Sequence, residues 1–496
     1  MKMWSGRFRE PLDPLFEQWQ RSFPFDWRLL PQEVAASKAH AGALYAAEVL
    51  TTSEHDALLR GLDEIAALLP RQNGSGAADA QQNENPIQRL DPQLSEKAED
   101  VHHFVELALV ARIGDVALKL HTGRSRNEQI ATDLRLYVRQ SAEALIANLA
   151  AWANALLQQA KLAGDAVMPA YTHLQRAEPV LVAHWLLAYV EMLLRDAARL
   201  QDCRKRLNLC PLGSGAVAGA TLALDRAQMA TALGFDGPTA NSMDATSDRD
   251  FVLEFLHALS LIALHASRFA EEITLFATQE FGLVELPESF STGSSAMPQK
   301  KNPDFTELVR GKTGRILAAG HAVEMQIKGL PLAYNKDLQE LQEPLFDATE
   351  RMRMLLHLLT KFTPQLRFCK DRMIAASETG YLNAMAAATY LVRKGIPFRT
   401  AHEIIGNVVR YALDRKCELD ALMLEELVRF SRAFAPDFFD AITPEATLDC
   451  HDVSGGTARH RVAAALIDAE ARVRTWMNAF GATSREPMQE AHHAGA

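Results

Sequence analysis

The stretch NEQIATDLRLYVRQSAEALIANLAAWANALLQQAKLA, residues 127–163, decides the fold class of this 496-residue chain. It contains no proline or glycine, and its apolar residues step by three and four, as from Ile130 to Leu134 to Tyr137. That spacing places the apolar side chains on one face of an α-helix. At ~1.5 Å per residue the helix is expected to be on the order of 50 Å long. A helix of that length indicates a bundle.

Three further stretches without proline repeat this pattern over residues 180–210, 250–281 and 304–328. They are rich in Leu, Ala, Met and Glu, which are good helix formers, and no alternating strand pattern of useful length is present. We therefore predict an all-α fold in which the long helices form a central bundle. Because apolar stripes this long exceed what the core of one chain can cover, they also predict an oligomer.

The chain is predicted to divide into three helical domains. Residues 1–114 form an N-terminal domain, residues 115–364 form the central long-helix bundle, and residues 365–496 form a small C-terminal domain. Residues 71–91 carry almost no side chain that could pack, so they are predicted to be a mobile surface insertion. The polar tail after Ser484 is predicted to be frayed.

Composition and charge exclude several classes of protein. Hydrophobic residues make up 48% of the chain, which supports a large buried core, and the net charge of -10 argues against a nucleic-acid partner. The five cysteines form no C-x-x-C pair or zinc spacing, so they are expected to be reduced thiols of a cytoplasmic protein. The N-terminus lacks the apolar region of a secretory signal, and polar residues interrupt the later apolar runs, so no membrane span is predicted.

The most informative motif is STGSSAMPQKKNPD, residues 291–304, which lies between two predicted long helices. Asn302 is expected to N-cap the second of these helices, with Pro303 at its first position and Asp304 near the positive end of its dipole. A plain flexible linker is the alternative. A linker does not explain two adjacent lysines beside a pair of serines.

The same loop suits the removal of a proton from carbon. When a proton leaves a carbon beside a carboxylate, a second negative charge builds up, and Lys300 and Asn302 could stabilise it. A serine hydroxyl acts as a base only where nearby donors and a cation favour its oxyanion, and Lys300 and the loop amides are the candidates. Closure of a loop that contains Gly and Ser would also exclude water.

Two other polar motifs lie beside the long helices. LHTGRSRNEQ, residues 120–129, puts two arginines, a serine and an asparagine into a turn before a helix, an arrangement that favours carboxylates. The alternative is an exposed cap with solvated arginines. YTHLQRAEP, residues 171–179, lies in a short break between helices, where His173 could shuttle protons near neutral pH. The alternative is a structural histidine.

The remaining motifs give no support for a cofactor or a metal. GSGAVAG, residues 213–219, resembles a dinucleotide-binding turn of an oxidoreductase, but it follows a helical stretch and no βαβ pattern surrounds it. Close backbone packing or contact with an anion is expected there instead. No H-E-x-x-H motif occurs, and the adjacent His102 and His103 cannot face the same way on a helix, so neither a metal nor a cofactor is predicted.

Taken together, these segments resemble the argininosuccinate lyases of the aspartase/fumarase superfamily. The resemblance extends from residues 4–8, WSGRF, to residues 454–458, SGGTA, and rests above all on residues 121–127 and 297–304. These motifs resemble argininosuccinate lyases more than fumarases, aspartases or adenylosuccinate lyases. The resemblance implies cleavage of argininosuccinate to arginine and fumarate, the last step of arginine biosynthesis. It also implies a homotetramer with each active site assembled from three subunits.

The resemblance also implies roles for the residues of the elimination. Ser294 would be the base that removes the succinyl Cβ proton, while Lys300 and Asn302 would stabilise the resulting aci-carboxylate. Across the cleft, His173 would pair with a carboxylate that matches Glu307.

Further residues are implied to line the cleft and to contact the substrate. Thr172, the neighbour of His173, is implied both to line the cleft with the catalytic residues and to contact the substrate. The implied substrate contacts are Ser22, Arg126, Asn127, Thr172, Arg249, Ser295, Tyr334 and Gln339.

Three positions depart from the pattern of the family. Gln342 stands where these lyases commonly carry a lysine, Glu178 where Gln is usual, and Glu128 where Asp is usual. Because the elimination residues are all present, these changes bear on the amine half of the substrate. A lyase acting on another N-succinyl amine therefore remains an alternative, as does a catalytically silent tetramer with a structural role.

Overall fold

The computed structural model describes residues 8–68 and 90–481. The predicted mobile insertion over residues 71–91 lies outside the described residues as far as residue 89, and the predicted frayed tail after Ser484 lies outside them entirely. Leu90, at the end of the predicted insertion, is buried.

The described part of the chain is built mainly from helices. In chain order these α-helices are α1 Pro14–Trp19, α2 Phe23–Asp26, α3 Leu30–Ala46, α4 Thr52–Ala66, α5 Pro92–Lys97, α6 Val101–Ile113, α7 Arg126–Ala163, α8 Val182–Leu207, α9 Arg226–Ala232, α10 Ser242–Ser247, α11 Asp250–Phe276, α12 Asp304–Ile327, α13 Gln342–Phe362, α14 Lys370–Ser377, α15 Ala384–Arg393, α16 Phe398–Arg415, α17 Leu424–Leu427, α18 Phe438–Ala441, α19 Pro444–Asp449 and α20 Arg459–Phe480. The predicted all-α fold is confirmed.

Short strands pair in twos between the helices. Over the described ranges these pairs are β1 Val167–Thr172 with β2 Gln175–Leu181, β3 Leu209–Cys210 with β4 Gly237–Pro238, β5 Val284–Glu285 with β8 Arg367–Phe368, and β6 Thr292–Gly293 with β7 Lys301–Asn302. None of them was predicted from the sequence. Apart from the first pair, each strand has two residues, too few for an alternating pattern to be recognised.

The helix predicted over residues 127–163 is α7, which begins one residue earlier. Ser125 caps it: the Ser125 hydroxyl accepts from the N–H of Asn127, and the Glu128 carboxylate accepts from the N–H of Ser125. The helix stops before Gly164, whose φ of 58° lies in the left-handed region that favours glycine. The other three predicted stretches are confirmed as α8, α11 and α12.

The long helices share one large apolar core. Helix α7 packs along α8, α11 packs along α12, and α13 lies against both α7 and α12. Trp152 of α7 is fully buried, and its indole N–H donates to Oγ1 of Thr363 at 3.0 Å. The ring of Phe269 on α11 meets the indole edge-on at 5.6 Å between centroids. An aromatic ring with its one polar atom satisfied stabilises the junction of these helices.

A second core lies in the C-terminal part of the chain. Helices α15, α16 and α18 form it around Leu391, Val408 and Phe438. The last helix, α20, packs instead against α7 and α8. The predicted domain boundaries after residues 114 and 364 stay predictions.

Helix α11 is long and apolar enough to cross a membrane by length and composition, and half of its most apolar stretch is buried inside the chain. A helix at the core of a large protein has the same composition. The exposed half carries further apolar side chains, among them Leu261 and Leu264.

The glycine-rich segment, residues 213–219, closes against the start of α7. Burial raises the pKa of the Glu128 carboxyl, and the nearby backbone N–H groups of Ser125, Gly215 and Gly213 partly offset that effect. Gly215 has a φ of 60°, and a Cβ there would stand 2.7 Å from the carbonyl oxygen of Gly219. Of the two alternatives expected here, close backbone packing is confirmed by the approach of Gly215 to Gly219, and contact with an anion stays a prediction.

Replacing Gly215 with alanine is therefore expected to destabilise the protein by roughly 2–4 kcal/mol, because left-handed strain and steric overlap add together. The thermal unfolding midpoint measures this. Gly237→Ala is the matched control, since a Cβ added there would have no atom within 4 Å and the φ of Gly237 is not positive. Equal midpoints for the two variants would contradict the role of this turn.

Candidate active site

The motif that contains Ser294 forms an exposed hairpin. Strands β6 and β7 pair antiparallel, so residues 294–300 form the loop between them. The hydroxyl oxygen of Ser294 accepts hydrogen bonds from the backbone N–H groups of Ala296 at 3.3 Å and Met297 at 3.1 Å. Donors aimed at an oxygen stabilise negative charge on it. The loop amides that were expected to favour a serine oxyanion thus lie against this oxygen.

Two other predicted site residues, Ser295 and Lys300, are exposed on the same loop. Over residues 8–68 and 90–481, no hydrogen bond or ion pair engages the Lys300 ammonium group. A cation that the chain itself leaves unpaired is available to an anionic substrate.

The start of α12 corrects one prediction. Pro303, and not Asn302, occupies the N-cap position, because the pairing of β6 with β7 turns the Asn302 amide toward the carbonyl oxygen of Gly293, to which it donates at 3.3 Å. Asp304 lies in the first helical turn as predicted, and its carboxylate accepts from the N–H of Thr292 at 3.2 Å and from its hydroxyl at 2.6 Å. These bonds close the base of the loop.

His173 lies at the tip of a second exposed hairpin. Thr172 pairs with Gln175 at the ends of β1 and β2, which leaves His173 and Leu174 as a two-residue connection. Their φ values are 55° and 57°, so both residues adopt the left-handed conformation of a type I′ turn. Neither is the Gly, Asn or Asp that such turns prefer, and left-handed backbone is strained in other residues. Strain of this kind is common at functional sites.

Glu307, the predicted partner of His173, lies in the first turn of α12 and is exposed. Nη2 of Arg310 stands 3.9 Å from its carboxylate, and Arg310 is also bonded to Glu271. Among the described residues, no hydrogen bond or ion pair joins Glu307 to His173. Their pairing stays a prediction.

The arginine-rich motif opens α7 beside α6. Nε of Arg126 lies 3.4 Å from Asp100, and its Nη1 lies 3.4 Å from Glu106. The neighbouring Arg124 is 7% exposed. The alternative of an exposed cap with solvated arginines is therefore wrong. Asn127, the next predicted contact, donates from its amide to the carbonyl oxygen of residue 216 at 3.3 Å.

Arg249 is buried at the start of α11, with 1% of its surface exposed. Its Nη1 donates to the carbonyl oxygens of Thr246 at 3.4 Å and Asp248 at 2.7 Å. Its Nε and Nη2 are also enclosed, and neither has a hydrogen-bond partner among the described residues. Burial lowers the pKa of Arg249 to about 10. Nε–H and Nη2–H form the side of the guanidinium that binds a carboxylate through two parallel hydrogen bonds.

Tyr334 lies close to Arg249. Burial raises the pKa of Tyr334 to about 12, which the cation of Arg249 partly opposes and the carboxylate of Asp100 reinforces. Gln339 donates from its amide to the carbonyl oxygen of Gln20 at 3.0 Å. Three more predicted substrate contacts lie around Tyr334: Arg249 itself, Arg126 through Asp100, and Ser22 through Asp26, and both of these carboxylates raise the pKa of Tyr334.

The elimination residues lie on two separate hairpins of the chain. Within the described ranges, no hydrogen bond or ion pair connects the hairpin of Ser294 to that of His173, and none connects either residue to the region of Arg249. Both hairpins project into solvent. This arrangement fits a site completed by other copies of the chain.

The positions that depart from the family pattern differ in their surroundings. Gln342 opens α13 and is 2% exposed, and its Oε1 has no partner among the described residues. The Glu178 carboxylate stands 3.8 Å from Nε2 of His451. The Glu128 carboxylate accepts from the N–H of Ser125 at 2.9 Å, and its Oε2 has no hydrogen-bond partner among the described residues.

A buried polar group in the N-terminal part was not predicted from the sequence. Oxygen and nitrogen atoms of Glu33, His102 and Asp133 lie within 4.8 Å of one another, as in a metal site. The 2.8 Å between Nδ1 of His102 and Oε2 of Glu33 is a hydrogen-bond length, and the guanidinium of Arg124 lies 3.9 Å from Glu33. The neighbouring cation of Arg124 and the direct hydrogen bond between His102 and Glu33 favour a hydrogen-bonded network over a metal site. Spacing along the sequence could not have found it, because its members come from three helices.

Comparison with known proteins gives consistent matches along the chain. A lyase family profile matches residues 6–318, and a profile of the argininosuccinate lyase C-terminal region matches residues 381–449. The chain is 66% identical over 481 residues to an argininosuccinate lyase of Acidobacterium capsulatum, covering 97% of this chain and 96% of that relative. It is 55% identical over 466 residues to an argininosuccinate lyase of Koribacter versatilis, covering 94% and 96%.

Solved structures give the same fold. An EDDS lyase in complex with formate superposes with a TM-score of 0.77 at 27% identity, covering 95% of this chain and 92% of that chain. The matched C-terminal region, residues 381–449, contains the second core, formed around Leu391, Val408 and Phe438. The chain belongs to the argininosuccinate lyase family.

Proposed function

We propose that this chain is a carbon–nitrogen lyase that cleaves argininosuccinate to arginine and fumarate by β-elimination. The observation that carries the proposal is the Ser294 hairpin, in which two backbone N–H groups lie against the serine oxygen. Lys300, which has no partner among the described residues, lies on the same loop. The relatives that are 66% and 55% identical over nearly the whole chain, both named argininosuccinate lyase, support the choice of substrate.

In the proposed reaction Ser294 removes the proton from the succinyl Cβ. The electron pair left on that carbon enters the adjacent carboxylate, and Lys300 and Asn302 stabilise the added charge of the aci-carboxylate. The electrons then return to form the double bond of fumarate as the carbon–nitrogen bond breaks. The electron pair of that bond stays on the guanidino nitrogen, and arginine takes up one proton, which balances the proton removed from Cβ. The two N–H groups at the Ser294 oxygen favour its ionised form, which a serine needs to act as a base.

Thr172, His173 and Glu307 are proposed to complete the site from other subunits. The left-handed turn at His173 places this residue at the exposed tip of its hairpin. Glu307, exposed at the start of α12, is expected to pair with the imidazole of another copy.

The substrate carboxylates are proposed to bind where the chain already offers unpaired donors. The enclosed Nε and Nη2 of Arg249 match one carboxylate, with Tyr334 beside them. The other proposed contacts are Ser22, Arg126, Asn127, Thr172, Ser295 and Gln339. No cofactor takes part in the proposed reaction.

We infer a cytoplasmic homotetramer. Helices α11 and α12 are 27 and 24 residues long, and their exposed faces carry Leu261, Leu264, Leu308 and Met325. Apolar faces on long helices of this kind are buried when copies of a chain pack as one bundle.

The test of this function is direct. Purified protein is offered argininosuccinate, fumarate is followed by the ultraviolet absorbance of its conjugated double bond, and arginine is quantified in the same samples. Equal amounts of the two products are expected. The second candidate, a lyase for another N-succinyl amine, is favoured by Gln342 in place of the family's lysine and by the likeness to an EDDS lyase. Ethylenediamine disuccinate (EDDS) is therefore the comparison substrate. Release of fumarate from EDDS but not from argininosuccinate would mean that the amine half of the substrate is not arginine.

A further inference from the structure

The carboxylate of Glu33 on α3 is the centre of a buried hydrogen-bond network, with 1% of this residue exposed. It accepts from the hydroxyl of Ser37 at 2.6 Å and bonds to Nδ1 of His102 at 2.8 Å. The amide of Gln129 donates to both of its oxygens, at 3.1 and 3.3 Å. Nη2 of Arg124 stands 3.9 Å away. A buried carboxylate with so many partners is held in one position.

Two of these partners flank the turn that carries proposed substrate contacts. Arg124 precedes Arg126 and Asn127, and Gln129 follows them in the first turn of α7. Nη1 of Arg124 also donates to the hydroxyl of Ser37 at 2.9 Å, and that hydroxyl donates to Glu33. The Glu33 carboxylate therefore holds this turn at both of its ends, through Arg124 and through Gln129.

The same carboxylate also anchors helix α6. His102 lies on α6 between Asp100 and Glu106, the two carboxylates that flank the guanidinium of Arg126. Because His102 is bonded to Glu33, the helix that orients the Arg126 side chain and the turn that carries its backbone have one common anchor.

We propose that Glu33 is a positioning residue that fixes the turn of Arg126 and Asn127 in the geometry required to bind a substrate carboxylate. The inference rests on the proposed function. It assigns to α3, which carries none of the proposed site residues, a role in substrate affinity. Groups that orient metal-binding residues in this way change affinity by about 10- to 100-fold when they are removed, and an effect of the same order is expected here.

The charges of the network agree with this role. Burial would raise the pKa of Glu33, but His102 and Arg124 hold it well below its usual range, so the carboxylate stays ionised beside Arg124. Burial and the nearby Glu33 raise the pKa of Asp133 well above its usual value. The ionised carboxylate of Glu33 therefore faces the permanent cation of Arg124 at the start of the turn that carries Arg126 and Asn127.

The test is Glu33→Gln, which keeps the shape of the side chain and removes its charge. We expect the KM for argininosuccinate to rise about tenfold or more while kcat changes by less than about threefold. Glu33→Asp keeps the charge and should lie closer to the wild-type KM than Glu33→Gln does. If Glu33→Gln does not fold, Ser37→Ala removes the hydroxyl between Glu33 and Arg124 and should raise KM in the same direction.

Glu426→Gln is the matched control, because Glu426 is also buried, at 4% exposed, but lies in the C-terminal part, where it accepts a hydrogen bond from Tyr411. It should lower the thermal midpoint and leave KM unchanged. Wild-type KM in a folded Glu33→Gln or Ser37→Ala variant would overturn the positioning role alone. Absence of fumarate release by the wild-type chain from both argininosuccinate and ethylenediamine disuccinate would overturn the proposed function.

Discussion

Replacing Ser294 with alanine is expected to lower kcat for fumarate release by at least about a thousandfold, because the change removes the proposed base. The hairpin should survive, since its base is closed by β6–β7 pairing and by the bonds from Thr292 to Asp304. Oligomeric state and thermal midpoint should therefore match the wild type. Fumarate absorbance measures the activity, and sedimentation and thermal unfolding of the same preparation measure the other two quantities.

Ser289→Ala is the control for this substitution. Ser289 lies outside the hairpin, and its hydroxyl donates to Oε1 of Gln365 at 2.9 Å. Loss of that exposed bond should change kcat by less than about twofold. Activity of Ser294→Ala at the level of Ser289→Ala would exclude the serine as base.

Arg249→Gln is expected to lower kcat/KM by about a hundredfold to ten-thousandfold, because two charge-assisted hydrogen bonds to a carboxylate are lost. Its effect on stability should be small or favourable. Burial lowers the pKa of Arg249 to about 10, so the folded state holds this proton less tightly than the unfolded chain does, and below that pH the cation opposes folding. A neutral side chain removes this cost.

The comparison is with Arg206→Gln, which removes an exposed cation paired with Glu254 on the outside of α8. That variant should retain wild-type kcat/KM and nearly wild-type stability. If Arg249→Gln lowers the thermal midpoint strongly but leaves kcat/KM intact, the buried arginine has a structural role and does not bind substrate.

The long helices could be predicted from the sequence because their apolar periodicity persists over many turns. The prediction for residues 127–163 missed only the first residue of α7. The hairpin at His173 could not be predicted, because His173 and Leu174 are residues that seldom adopt left-handed backbone. Asn302 was wrongly expected to cap α12, since pairing between β6 and β7 engages its amide first.

The part of the candidate site that could be predicted is the part whose residues are neighbours in the sequence. The Ser294 loop is contiguous in sequence, so its lysines and serines can be seen together. The network of Glu33 joins residues of α3, α6 and α7 that are as many as 96 positions apart, and no spacing along the chain reveals such contacts. The enclosure of Arg249 likewise depends on tertiary packing.

The elimination site is proposed to form only when hairpins of different copies meet, and a mixture of two inactive variants tests this proposal. Ser294→Ala and His173→Asn are each expected to be inactive, and His173→Asn retains a residue that tolerates the left-handed turn. After equal amounts are dissociated and reassembled together, random hybrids in which each site draws Ser294 and His173 from different chains should recover about a quarter of wild-type activity. Recovery of no activity, with hybrid tetramers verified by mass, would mean that both residues of a site come from one chain and would contradict the claim.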